Sequence, residues 1–115
     1  GEDYLARIFA LQSSDPDVEL IVEGEINRPP YEASDAARDL FQVARECAGE
    51  VGLDLQTTVT TGGGSDGNFT AAMGIATLDG MGADGAGAHT LDEYVLISSL
   101  VPRAEMWWRL LARLT

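Results

Sequence analysis

The sequence predicts an α/β fold assembled from two incomplete halves. Up to Thr61 the residues read as helix, strand, helix, strand. From Gly62 to Gly87 the chain carries nine glycines around short helix and strand candidates, and a long amphipathic helix closes it. Neither half has enough strands for a self-contained sheet of ordinary size. Both look cut.

The elements follow in order. Leu5, Ile8, Phe9 and Leu11 recur at helical spacing between Tyr4 and Leu11, with no capping residue before them. Ser13-Ser14-Asp15-Pro16 ends that pattern, since Ser and Asp compete for backbone bonds and Pro lacks a donor. Val18 to Glu23 reads as a strand. Asn27-Arg28-Pro29-Pro30 is a rigid extended connection, because each Pro fixes its own φ and biases its predecessor away from helix. Ser34 is placed to cap the next helix, with Asp35 favourable in its first turn. There Ala37, Leu40, Phe41, Ala44, Cys47, Ala48 and Val51 form one apolar stripe. Gly52 stands where a left-handed residue ends a helix.

Leu53 to Thr61 alternates well enough to read as a strand. A short helix from Asp66 to Met73 and a short strand from Ile75 to Leu78 interrupt the glycines, and Glu93 to Ile97 is another strand candidate. Pro102 is expected to open the last helix. Its buried stripe would be Met106, Trp107, Leu110, Leu111 and Leu114, with Trp108 half exposed beside it.

Composition excludes several functions. Nineteen acidic residues face seven basic ones, all Arg, for a net charge of −12 across 115 residues. Nucleic-acid grooves and anionic membrane surfaces need clustered cations, so neither is an expected partner. Without lysine there is no P-loop and no Schiff-base chemistry. One cysteine builds no disulfide framework, and Cys47 lies on an apolar stripe, as a buried small hydrophobe would. The start has neither initiator Met nor apolar leader, so it reads as the interior of a longer cytoplasmic polypeptide.

Two places could carry chemistry. Gly62-Gly63-Gly64-Ser65-Asp66-Gly67 lies between a predicted strand and a predicted helix. Residues without Cβ let a ligand approach the backbone, and a helix start offers unpaired N–H groups to a carboxylate or phosphate. A flexible turn is the equally weighted bland reading. Gly63, Ser65 and Gly67 also match the G-x-S-x-G elbow of serine hydrolases, with Asp79 or Asp84 and then His89 following in triad order. The second place is His89, the sole histidine. Alone in a loop it is an exposed side chain; beside Asp92 and Glu93 it is also a candidate metal ligand. One His and one Cys make no His/Cys zinc site, so other ligands would be carboxylates or come from outside this chain. The Asn68-Phe69-Thr70 sequon lies in a predicted helix, and Asp79 to Glu93 lacks the oxygen side chains of an EF-hand. Arg28 reads equally as a surface charge or a carboxylate clamp.

Taken together, Asn27-Arg28-Pro29-Pro30, Gly62 to Asn68 (GGGSDGN), Leu78-Asp79-Gly80 and Gly87 to Tyr94 (GAHTLDEY) resemble the C-terminal portion of the M20 metallopeptidase family. Its glutamate carboxypeptidase and acetylornithine deacetylase-like members are nearest in pattern. The resemblance implies an α+β lid portion over residues 1–61, followed by part of an α/β catalytic domain over 62–115. It implies a two-domain metallohydrolase of which this chain is an incomplete fragment, and a homodimer joined through the lid.

The family's chemistry is zinc-dependent hydrolysis of an amide next to a free carboxylate, with two ions and a Glu base. The resemblance makes His89 the last metal ligand and Gly64 and Ser65 the loop that receives the substrate carboxylate. The substrate would be a small peptide or an N-acyl amino acid. The base and the remaining ligands have no counterpart here, so the fragment alone should be inactive. The alternatives are a serine hydrolase using Ser65 and a non-catalytic oligomerisation or ligand-binding module.

Overall fold

The computed structural model describes residues 2–57 and 62–115. Helix α1 runs Glu2–Phe9, α2 Asp35–Glu50, α3 Gly67–Ala72 and α4 Ile97–Leu114. Strands β1 (Gly85–Ala86) and β2 (Tyr94–Val95) form an antiparallel pair, with Gly85 opposite Val95 and Ala86 opposite Tyr94. The architecture is thus helical with a minimal two-stranded ladder.

Helix α2 forms where its sequence directs. The Ser34 side chain accepts from the Ala37 amide, satisfying one of the four donors a helix start leaves open. At the other end Gly52 takes φ +76°. Its N–H donates to the Gly49 carbonyl, and the Leu53 N–H to that of Ala48. These paired bonds are the Schellman arrangement, which favours Gly at the left-handed position.

The core is the seam between α2 and α4. Ala44, Cys47 and Ala48 meet Met106 and Leu110, with Leu55 and Met81 completing the cluster. Small residues on α2 leave room for the buried Met106. Arg109 to Glu50 (3.0 Å) and Arg113 to Glu46 (2.9 Å) fringe the seam. Such half-exposed pairs each add well under about 1 kcal/mol, so apolar burial carries this packing. The seam joins residues on both sides of Gly62.

Five expectations are corrected. Val18 to Glu23 and Ile75 to Leu78 are irregular rather than strands, as are residues 53–57; the remainder of that third segment, 58–61, lies outside the described residues. A strand is stabilised by a neighbour that takes its N–H and C=O groups, and these apolar runs meet none among the described residues. Pro102 does not open α4, which begins five residues earlier. Instead Ser99, buried in the first turn, donates its hydroxyl to the Leu96 carbonyl at 2.6 Å. On α4 only Met106 and Leu110 of the expected stripe are buried; Leu111, Leu114 and Trp108 are exposed. Trp107 keeps its indole N–H on the Met81 carbonyl at 3.0 Å.

The described residues spread over 64 × 36 × 19 Å with a radius of gyration of 19.5 Å, against about 13 Å for a compact chain of this length. Helix α1 buries no residue. Among the described residues no helix is long and apolar enough to cross a membrane.

Candidate functional site

The glycine-rich loop is held from a distance. Arg28, on the extended segment before α2, sends Nε to the Ser65 carbonyl at 3.2 Å and Nη2 to Asp66 Oδ1 at 3.1 Å. Its guanidinium lies 5.1 Å from the centre of the Phe69 ring. Asn68 reinforces the attachment. Its amide nitrogen donates to the Pro29 carbonyl at 2.7 Å, while its oxygen accepts from the Ser65 N–H at 2.9 Å. Farther along, the Tyr31 hydroxyl donates to the Thr77 carbonyl. Burial, with a smaller push from Asp79, raises the Tyr31 hydroxyl above its ordinary pKa of 10.0.

These bonds change the anion-site argument. The Ser65 amide is taken by Asn68, the Gly67 amide by Ser65 Oγ at 3.1 Å, and the Asn68 and Phe69 amides by the carbonyls of Ser65 and Asp66. The start of the short α3 therefore offers few free donors. The Gly64 and Asp66 N–H groups donate to no described residue, and the Ser65 hydroxyl keeps its own proton to give.

The serine-hydrolase elbow is not assembled. Ser65 Oγ pairs with the Gly67 amide rather than with an imidazole, and Asp79 Oδ1 accepts from the Gly80 amide at 2.8 Å. Residues 53–57 are not a strand.

His89 sits in the reversal between β1 and β2. The base of this hairpin is fastened to α4. The Asp84 N–H donates to Ser99 Oγ (3.0 Å), the Leu96 N–H to the Asp84 carbonyl (2.7 Å), and Arg103 Nη2 to Asp84 Oδ1 (2.6 Å). The Arg103 side chain is only 15% exposed, and its Nε and Nη1 find no partner among the described residues.

The tip holds itself. Thr90 Oγ1 donates to the Gly87 carbonyl at 2.7 Å and accepts from the Asp92 N–H at 3.2 Å. His89 adopts φ +67°, the sole positive φ outside glycine among the described residues. Glu93 Oε2 accepts from the His89 backbone N–H at 3.2 Å. Glu93 thus supports the backbone of His89. A left-handed His costs about 1–2 kcal/mol, and such strain gathers at functional positions.

Among the described residues no hydrogen bond or ion pair links the His89 hairpin to the Gly64–Ser65 loop, and α3 contacts neither strand. No group of three His, Cys, Asp or Glu among the described residues could hold a metal ion. The exposed imidazole of His89 fits one coordination position, and a neutral ring nitrogen is a suitable donor for zinc. Arg28, Asn68 and Tyr31 acquire positions that local sequence could not assign, because their partners lie more than thirty residues away.

The chain matches the model of peptidase family M20/M25/M40 over residues 6–113. It is 31% identical over 119 residues to carboxypeptidase G2 of Pseudomonas sp. (strain RS-16), covering 96% of this chain and 28% of that protein. It is 38% identical over 63 residues to succinyl-diaminopimelate desuccinylase of Acinetobacter baylyi, covering 55% of this chain and 16% of that protein. The chain therefore spans less than a third of the length of these relatives. No solved structure matches it at a significant level.

Proposed function

Because the chain belongs to peptidase family M20/M25/M40, we propose that it is the C-terminal segment of a zinc-dependent amidohydrolase or carboxypeptidase cleaving an amide next to a free carboxylate. The observation that carries this reading is His89. An exposed imidazole held on a left-handed backbone is a costly arrangement with no packing benefit to the chain, and a metal ligand accounts for it. A family zinc pair, when bound, lowers the pKa of its water and stabilises the charge of the tetrahedral intermediate.

This chain's own residues have narrower tasks. His89 supplies one ligand. The Gly64 N–H and the Ser65 hydroxyl, which donate to no described residue, receive the substrate carboxylate and orient the amide beside it. The substrate is a small peptide or an N-acyl amino acid, in keeping with a carboxypeptidase and a desuccinylase among its relatives. The other ligands and the general base belong to polypeptide outside the segment, so the segment alone does not turn over substrate. The lid-to-catalytic change of body falls between Arg28 and Ser34 rather than at Gly62, a placement supported by the packing of α2 on α4. Dimerisation would use the lid portion before that point.

In the full-length enzyme, His89→Ala is expected to abolish amide hydrolysis and to lower the occupancy of one metal position, read by elemental analysis. Full activity with both metals retained would refute the assignment.

A further inference from the structure

We propose that Arg28 is a positioning residue that clamps the Gly64–Ser65 loop in its ligand-ready shape; the effect on substrate rests on the reading that this loop receives a carboxylate. Arg28 lies in a segment stiffened by Pro29 and Pro30, whose fixed φ angles make it a short rigid strap. Its fork reaches a backbone carbonyl and a side chain of the loop together, Ser65 O at 3.2 Å and Asp66 Oδ1 at 3.1 Å. Its plane covers Phe69, the third residue of α3. The aliphatic stem crosses Gly64 so closely that a Cβ there would stand 3.0 Å from Arg28 Cδ. A side chain at position 64 would therefore press on the Arg28 stem.

The donors decide between a clamp and a ligand-binding group. Nε and one N–H of Nη2 are directed at the loop and one N–H of Nη1 lies toward Asn27 Oδ1 at 3.5 Å, so three of the five donors hold protein groups. Asn68 ties the same strap to the Ser65 amide through the Pro29 carbonyl. The Arg28–Asp66 ion pair taken alone is weak, because Asp66 is 94% exposed. The fork, the stack and the Asn68 staple act together, and what they hold is the backbone on either side of Gly64. A loop ordered in advance costs a ligand less conformational entropy on binding. Lysine could not replace this planar fork.

The experiment uses full-length enzyme carrying Arg28→Ala, Arg28→Lys or, as a milder cut, Asp66→Asn. Amide hydrogen exchange is followed over residues 62–69 without substrate. Kinetics are measured with the N-acetyl amino acid that the wild-type enzyme hydrolyses fastest. Arg28→Ala and Arg28→Lys should speed exchange at the Ser65, Gly67 and Asn68 amides by about tenfold, with Asp66→Asn intermediate. KM should rise by about tenfold while kcat stays within about threefold, as loss of ground-state positioning requires. Exchange that does not change in any variant overturns the clamp. A fall in kcat at constant KM also overturns it, because Arg28 would then act at the reacting centre. Faster exchange with unaltered KM leaves the clamp standing and removes the carboxylate role of the loop.

Discussion

The glycine loop and the His89 hairpin solve one problem, holding a polar group at the surface, by opposite means. The loop is bound from a separate strap far away in sequence: Arg28 closes on Ser65 and Asp66, and the Pro29 carbonyl accepts from Asn68. The tip of the hairpin is bound by its own residues, Thr90 to Gly87 and Glu93 to His89, none more than four positions apart. A locally closed turn can hold a strained residue, since its contacts form together. A loop closed from outside keeps ordinary dihedrals and depends on whether its strap stays in place. The strain accordingly appears at His89 and not at Ser65.

The sharpest way to break the comparison is to break the hairpin. A Cβ on Gly85 would collide with the Tyr94 carbonyl oxygen, a backbone atom that cannot step aside. Gly85→Ala is expected to destabilise the full-length protein by about 3 kcal/mol and to cost metal at His89. Exchange at the loop amides around Ser65 should hardly alter. Thermal unfolding and metal content check this, and an unchanged melting temperature would mean that the strands do not approach so closely.

A second substitution separates strain from function within the hairpin. His89→Gly removes both the imidazole and the penalty of a left-handed side-chain-bearing residue. The metal-free protein should become more stable by about 0.5–1 kcal/mol in denaturant, the balance of relieved strain against the greater freedom of Gly when unfolded. Activity should vanish. A loss of stability would show that His89 is not held left-handed in solution.

How much of this was legible in sequence follows the same division. Helix α2 was readable from one end to the other because Ser34, the apolar stripe and Gly52 are local signals that agree. The hairpin was half readable: Glu93 to Ile97 gave β2, but nothing marked Gly85–Ala86 as its partner or His89 as left-handed. The VELIVE run shows the converse. Its alternation is a property of the chain, whereas a strand is a property of a pair, and no partner stands beside it among the described residues. Pro102 misled because it suits a first helical position, while Ser99, with its hydroxyl on the Leu96 carbonyl, begins the turn earlier. Arg28 was left undecided because the residues that decide it, Ser65 and Asp66, lie 37 and 38 positions on.

The smallest expected effect tests the outside strap without touching Arg28. Tyr31 anchors the far end of the strap by donating its hydroxyl proton to the Thr77 carbonyl. Burial first, and the Asp79 carboxylate second, raise its pKa above the ordinary 10.0. The folded chain then binds more proton than the unfolded one between that ordinary value and the raised one. By linkage, stability is whole below about pH 10 and declines as pH climbs through the folded pKa. Ionised Tyr31 would have no proton to donate, so the strap should loosen over the same interval and the loop amides exchange faster than their ordinary base catalysis predicts. Tyr31→Phe should cost about 1 kcal/mol at neutral pH for the lost hydrogen bond and should flatten this alkaline decline. The hairpin amides, which owe nothing to Tyr31, should respond to pH alike in both proteins. If they share the decline, the two loops are coupled through the core and the contrast between outside and local closure fails.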